Sequence, residues 1–295
     1  MVSAEDLQVL CALAMSGSLK SAGDALGVSQ QAASARMRHL EESLHLVLCD
    51  RSATGTRLTE NGEVVAGWAG DVLSALNRLM EGASSLGATE SHTLTVMASL
   101  TIAEYLLPRW LTRLRARDLH SQVHVSAVNS ARVIDGVRRG EAQLGFIETP
   151  APATGLRTRR IASDELVVVA AADHPWARRS AITARELAAT PLVVRERGSG
   201  TRDAMERALG DRGVLVGEPA AELPTSAAIR TAVIQGLAPA VLSVLTVRED
   251  IQYGYLVRVP LEDVRIVREL RAVWHPDSDL SQTARLLLAL ARSTP

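Results

Sequence analysis

The stretch SLKSAGDALGVSQQAASARMR, Ser18 to Arg38, decides how the start of this chain folds. Ser18 suits a helix N-cap, where its hydroxyl can take a backbone N–H that has no partner inside the helix. Ala22 and Leu26 follow one turn apart and are expected to face inward. Gly27 supplies a turn, and Val28 is expected to plug the small core beneath it. Ser29 can cap a second helix, about 29–44, with Ala33, Met37, Leu40 and Leu44 on its inner face. Gln30, Gln31, Ser34, Ala35 and Arg38 are left on the outer face. Two short helices joined by a glycine turn make a helix-turn-helix.

The flanks extend this unit. Leu7, Val9, Leu10, Leu13 and Ala14 recur at helical spacing, predicting a helix over 4–16 that Gly17 ends. On the other side, LVLCDRSATGTRLT (46–59) places two apolar runs around a turn at 52–55, which reads as a hairpin, or wing. Thr59 can cap a long helix reaching about Ser84. Its apolar residues Val65, Trp68, Val72, Leu76, Leu79 and Ala83 step by three or four, as in a coiled-coil seam, before a Gly/Ser patch at 82–87. A narrow seam on a long helix predicts a dimerisation linker.

From Leu94 the pattern becomes strand–helix alternation. Strands are expected at 94–99, 122–128, 142–147, 165–171, 191–194, 238–242, 256–259 and 269–274. Helices are expected over 101–117, 130–140, 201–213, 226–236 and 280–291. This predicts an α/β protein with largely parallel strands, divided between two small lobes.

Composition narrows the class. With 47% apolar residues the 295-residue chain can bury a sizeable core. The net charge of −1 favours no partner, and the first 60 residues hold 5 Lys and Arg against 7 Asp and Glu, so there is no basic arm. A weakly charged DNA module gains most from dimerisation, which doubles its phosphate contacts. Cys11 and Cys49 form neither a disulfide framework nor a zinc site, which fits a reducing compartment. No signal-peptide pattern or membrane-length apolar run occurs, so a cytoplasmic protein is expected.

The capped 29–44 helix offers free N–H groups and a partial positive charge to a backbone phosphate. Gln30 and Gln31 carry amides able to pair bidentately with adenine in the major groove. Ser34 can reach a phosphate or a base edge. Arg36 and Arg38 are expected near phosphates, and Arg51 and Arg57 in the wing are placed for backbone or minor-groove contact.

Downstream, Ser99-Leu100-Thr101 and Gly198-Ser199-Gly200-Thr201 both fall where a strand passes into a helix, able to offer hydroxyls and N–H groups to an anion. Arg195, Arg197 and Arg202 add positive charge around the second. Asn129, Glu148, Thr225 and Ser226 fall at similar junctions, where an inter-lobe cleft would be lined. One Phe and three Tyr argue against a large stacked ligand.

Enzyme readings are poor. The segment from Gly198 is one residue short of G-x-S-x-G, and as a G-x-G it has Asp203 where a third glycine is needed. There is no phosphate-binding Walker motif, and His120 and His124 straddle a strand start rather than sharing a helix face. No cofactor and no metal are expected. The remaining histidines, 39, 45, 92, 174 and 275, read as surface or cap residues.

The run A-x-x-x-L-x-V-S-Q-x-A-x-S at Ala22–Ser34, R-x-L-E at Arg38–Glu41, Asp50-Arg51 and L-T-E-x-G at Leu58–Gly62 resemble the N-terminal domain of LysR-type transcriptional regulators. Further matches are E-Y-L-L-P at Glu104–Pro108, D-H-P at Asp173–Pro175, G-S-G-T-R at Gly198–Arg202 and Q-G-L-A-P at Gln235–Pro239. The resemblance covers essentially the whole chain. It implies a winged helix-turn-helix over 1–58, a linker helix over 59–87 and a periplasmic-binding-protein-like effector domain over 91–295. Lobe I would take about 91–162 and 268–295, and lobe II about 163–267. The implied partners are double-stranded operator DNA, a small-molecule effector of anionic character, RNA polymerase, and further copies of the chain as a dimer of dimers. The chain departs from the family pattern at Gln31, often Pro, at Ala35, often Arg, and at Cys49, often Phe. Arg36 lies about 100° further round the helix and cannot replace the missing arginine. The competing reading is a cytoplasmic small-molecule sensor whose helix-turn-helix no longer reads DNA.

Overall fold

The computed structural model describes residues 1–52, 55–87, 93–119, 121–150 and 153–293, apart from the side chains of residues 51, 52, 55, 74, 77, 78 and 80–87. The wing side chain of Arg51, the seam residue Ala83, and His92 and His120 therefore lie outside what is described. The chain divides into two compact units, 1–91 and 92–295.

The first unit runs α1 (Ala4–Ser16), α2 (Leu19–Leu26), α3 (Gln30–Leu44), β1 (Cys49–Ser52), β2 (Gly55–Leu58) and α4 (Glu60–Gly87). Serine hydroxyls cap the first three helices: Ser3 accepts from the Asp6 N–H, Ser18 from Ser21 and Ser29 from Ala32. The Thr59 hydroxyl accepts from Gly62 N–H at 3.0 Å and starts α4. Leu10, Leu13, Ala22, Ala33, Met37, Leu40 and Leu48 form the buried centre. At the turn, Val28 N–H donates to the Gly23 carbonyl at 2.9 Å. A Cβ on residue 23 would lie 2.8 Å from the Val28 oxygen, so this crossing requires glycine.

Three expectations are corrected here. Leu26 is 37% exposed, not inward-facing. The eight-residue α2 buries Leu19, Ala22 and Gly23, which leaves its last residue at the margin. The α4 helix ends in the Gly/Ser patch but runs on to Gly87 rather than stopping at about Ser84; helical glycines cost stability without forbidding the helix. The α4 seam also divides. Val65 and Ala69 are buried in the unit's own core, whereas Val64, Trp68, Val72, Leu76 and Leu79 are exposed.

The second unit begins with β3 (Thr93–Ser99), α5 (Leu100–Tyr105), α6 (Leu107–Arg115), β4 (Gln122–Val128), α7 (Ser130–Arg138) and β5 (Leu144–Ile147). A long strand, β6 (Arg157–Ala171), leads to α8 (Ala184–Ala189), β7 (Val193–Arg195), α9 (Gly200–Gly210), β8 (Ala221–Leu223) and α10 (Ser226–Ile234). It closes with β9 (Ala240–Ser243), α11 (Val244–Gln252), β10 (Leu256–Val259), β11 (Ile266–Trp274) and α12 (Gln282–Arg292). The strand order is β4-β3-β5-β11-β6-β9-β7-β8, with β10 also on β6.

The strands are mixed rather than largely parallel. β3 pairs in parallel with β4 and β5, and β7 with β8 and β9. The pairings of β6 with β9, β10 and β11, and of β5 with β11, are antiparallel. The cause is the crossover: β6 and β11 pass through both lobes side by side, from Ile266↔Leu166 to Trp274↔Arg157, with a register shift at Leu270/Arg271. Each lobe covers both sheet faces. One has Trp110, Phe146 and Leu287 on one face and Val133, Val137 and Val273 on the other. The second has Leu187, Leu192 and Leu209 opposite Ile229, Val233 and Leu242.

Two more element expectations change. The helix expected over 101–117 is two helices broken at Leu106 (φ −115°). Pro108 supplies no N–H and crowds the preceding turn. The strand expected at 165–171 begins at Arg157, because 157–164 pairs along β11 despite its charged residues.

Candidate functional site

Two surfaces carry polar chemistry beyond what folding requires. On the first unit, α3 is pinned from below by Ala33, Met37 and Leu40. Gln30, Gln31, Ala35 and Arg38 are exposed above them, with Ser34 half-buried. Ser18 and Ser29 are engaged as caps. Arg57 on β2 is exposed. Arg36 differs: its guanidinium reaches back to Glu5 on α1 at 3.2 Å, so it braces α3 and is not a spare cation. His39 Nδ1 similarly meets Asp6 at 2.9 Å. Burial alone would raise the Asp6 carboxyl. The hydrogen bonds from the Ser3 hydroxyl and N–H and from His39 together outweigh it and hold the group below its ordinary range.

The second surface lies in the second unit, where the crossover strands pass between the lobes. Its centre is Arg268 on β11, whose side chain is fully buried. The Nε of Arg268 donates to Asp164 at 2.8 Å, and Nη2 lies 2.7 Å from the same carboxylate. Nη1 donates to the Thr201 hydroxyl at 2.8 Å and lies 3.0 Å from Glu148 Oε1, while Nη2 donates to Thr101 at 3.2 Å. The Thr101 hydroxyl donates to Glu148 Oε1 at 3.2 Å and the Ser243 hydroxyl to Asp164 at 2.8 Å. One guanidinium thus ties together Thr101 and Glu148 on one side and Asp164 and Thr201 on the other. Breaking such a buried pair from one end costs about 3–5 kcal/mol.

The lobes meet closely along one rim. A Cβ on Gly200 would stand 2.6 Å from the Glu148 carbonyl carbon and 2.7 Å from Thr149 N, so only glycine lets α9 approach β5. The Ala131 N–H donates to the Gly198 carbonyl at 3.2 Å. The Thr149 hydroxyl donates to Asp203 at 2.8 Å, and burial holds the Asp203 carboxyl above its ordinary range.

Among the residues expected at this site, Ser99, Thr101, Glu148, Ser199, Gly200 and Thr201 come together, all nearly inaccessible. Leu100 begins α5 beside them and is half-buried. Asn129 caps α7, accepting from the Arg132 N–H at 3.0 Å. Thr225 caps α10 through the Ala228 N–H, with Ser226 buried behind it. Arg197 is exposed. Arg202 turns away to Glu206 (2.7 Å) and Glu222 (2.6 Å). Arg268, Asp164 and Ser243 were missed. Arg268 and Asp164 each sit just outside the strands expected at 269–274 and 165–171, and only the longer observed strands turn these charges inward.

Beside the crossover, a cavity of about 540 Å³ is lined by Tyr105, Arg109, Asp164, Arg230, Arg248 and Glu249, among others. Arg230 is held there by Asp250 through two bonds, at 2.5 and 2.9 Å. Among the described residues no group of three or more His, Cys, Asp or Glu side chains could hold a metal, and no helix is long and apolar enough to cross a membrane.

Each surface lies in a segment that matches a known family. Residues 4–63 match the model of bacterial regulatory helix-turn-helix proteins of the lysR family, and residues 87–294 match the LysR substrate binding domain. The HTH-type transcriptional regulator Rv2282c of Mycobacterium tuberculosis is 42% identical over 276 residues, 90% of this chain and 88% of that protein. CbnR solved with its target DNA has a TM-score of 0.63 at 17% identity, covering 99% of both chains. The regulatory domain of CcmR from Synechocystis, solved with 2-PG, has a TM-score of 0.62 at 24% identity, over 68% of this chain and 96% of that one.

Proposed function

Because the chain belongs to the LysR family of helix-turn-helix transcriptional regulators, we propose that it reads double-stranded operator DNA under the control of a small molecule held between its two α/β lobes. Residues 1–58 read the DNA, 59–87 pair the copies and 91–295 sense the ligand, a division supported by the separate family matches to 4–63 and 87–294. The observation that carries the DNA half is the outer face of α3. Gln30 and Gln31 stand exposed over a buried core, without a packing role for their amides. In the major groove, such amides pair with adenine, while Ser34, Arg38 and Arg57 fix position on phosphates. Ser29 and Ser18 act earlier, by holding the two helices in register. Arg51 belongs to the same wing.

The exposed apolar stripe of α4 supports pairing of two copies, and the family resemblance supports a dimer of dimers. The effector carries an anionic group, for which Arg195 and the Ser99 and Ser199 hydroxyls are available at the end of β7 and the starts of α5 and α9. CcmR, bound to 2-PG, supports a small-molecule occupant for this fold. The ligand biases DNA binding by binding one arrangement of the lobes better than another, which alters DNA bending and contact with RNA polymerase. This chemistry needs no catalytic group and is performed in the cytoplasm, where the DNA lies.

The test is titration of duplexes from the upstream region of the gene at two salt concentrations. A regulator prefers one duplex and loses affinity steeply with salt as phosphate counterions are released. A sensor that no longer reads DNA binds none of them even at low salt.

A further inference from the structure

Ser99 and Ser199 stand at the N-caps of α5 and α9, yet neither hydroxyl caps its helix. The caps Ser18, Ser29, Asn129, Thr183, Thr225, Ser243 and Ser281 each accept a backbone N–H. Both withheld hydroxyls are buried, at 0% and 1% exposure, and meet no protein partner among the described residues. Two charged atoms share that condition, Glu148 Oε2 and Arg195 Nη1, on side chains equally buried. An unmatched buried polar atom costs about 1–3 kcal/mol. Four in one region would take a large share of a domain's net stability, so they are arranged to be met by something other than the protein.

Their polarity is mixed, and this defines the ligand. Arg268 faces two carboxylates, Glu148 and Asp164, and its N–H groups are spent on them and on Thr101 and Thr201. That trio has a formal charge of −1, and Glu148 Oε2 is the oxygen no donor covers. Arg195 gives Nε and Nη2 to the two oxygens of Glu196 and keeps Nη1 as a spare donor. A plain dianion would satisfy Arg195 and set its second charge against Glu148. A plain cation would satisfy Glu148 and leave Arg195 unmet.

We propose that the cleft takes an amphoteric ligand, an α-amino acid or close analogue, with its carboxylate on Arg195 Nη1 and the Ser99 and Ser199 hydroxyls and its ammonium on Glu148 Oε2. This rests on the effector reading above and adds the chemical class. Glu104 on α5 lies in the same field: burial pushes its carboxyl up, Arg195 and Arg230 pull against that, and the Glu148 charge adds the smallest upward part.

Titration calorimetry on the full-length protein separates the classes. Each L-amino acid is compared with its N-acetyl derivative, its des-amino carboxylic acid, and sulfate and phosphate. At least one free amino acid binds, and removing or acetylating its amine weakens binding about 10- to 100-fold. Glu148→Gln imposes a similar loss on the amino acid and spares the weak binding of the des-amino acid, a selectivity that misfolding cannot produce. Des-amino acids or inorganic oxyanions binding as tightly as the amino acids would overturn the amphoteric class and leave the effector site standing. No binding by any compound would overturn both.

Discussion

At the residue scale, single atoms decide both specificity and closure. Gln30 projects from α3 without a packing role. Gln30→Ala therefore weakens operator binding by about 1–3 kcal/mol and barely alters binding to unrelated DNA. Anisotropy titrations on the two duplexes give the comparison, and equal losses would remove Gln30 as a base reader. Gly200 sets the opposite kind of constraint, since a Cβ there meets the Glu148 backbone at 2.6 Å. Gly200→Ala lowers the stability of the second unit by about 1–3 kcal/mol, and an unchanged denaturant midpoint would contradict the close rim contact. Arg36 shows why a residue's type does not reveal its role. Its sequence position marks it as a phosphate contact, but Glu5, 31 residues earlier, holds it at 3.2 Å.

At the element scale, α1 and α3 are joined by the Asp6–His39 pair and the Arg36–Glu5 bridge. Asp6 has a folded pKa below its ordinary 3.8. A depressed carboxylate stabilises the fold above its unfolded pKa, and that contribution disappears as pH falls through the folded value. Wild-type and Asp6→Asn proteins thus differ most above the ordinary Asp value of 3.8 and converge as pH falls through the lower folded value. Thermal melts of the first unit's signal across that range measure it, and a gap that persists in acid would contradict the assignment. On α4, Trp68 is 63% exposed beside Val64 and Val72. Trp68→Glu changes the stability of one copy by no more than about 0.5 kcal/mol but abolishes self-association, as sedimentation velocity would show. An unchanged oligomer would move the interface elsewhere.

Most elements were legible because periodicity and caps are local. Ser18, Ser29 and Gly27 mark the helix-turn-helix without any knowledge of the rest of the chain. What was illegible depended on distant partners. The first half of β6 is a strand because β11 pairs along it from about 100 residues away, and the division of the α4 seam depends on a core built by α1 and α3. The cleft was half legible: serines and threonines at strand ends are local signals, whereas Arg268 gains meaning only when β11 lies beside Asp164, Thr101 and Thr201.

At the scale of the whole molecule, a reading head and a sensing unit share one chain, and the central claim is that they are energetically coupled. Linkage makes that claim quantitative: a ligand that changes DNA affinity by some factor must have its own affinity changed by DNA by the same factor. The direct measurement is operator affinity with and without saturating cleft ligand, paired with ligand affinity with and without saturating operator. The account predicts equal factors of about 5 to 150 in the two experiments. A ligand that binds the cleft tightly while both factors equal one would contradict it.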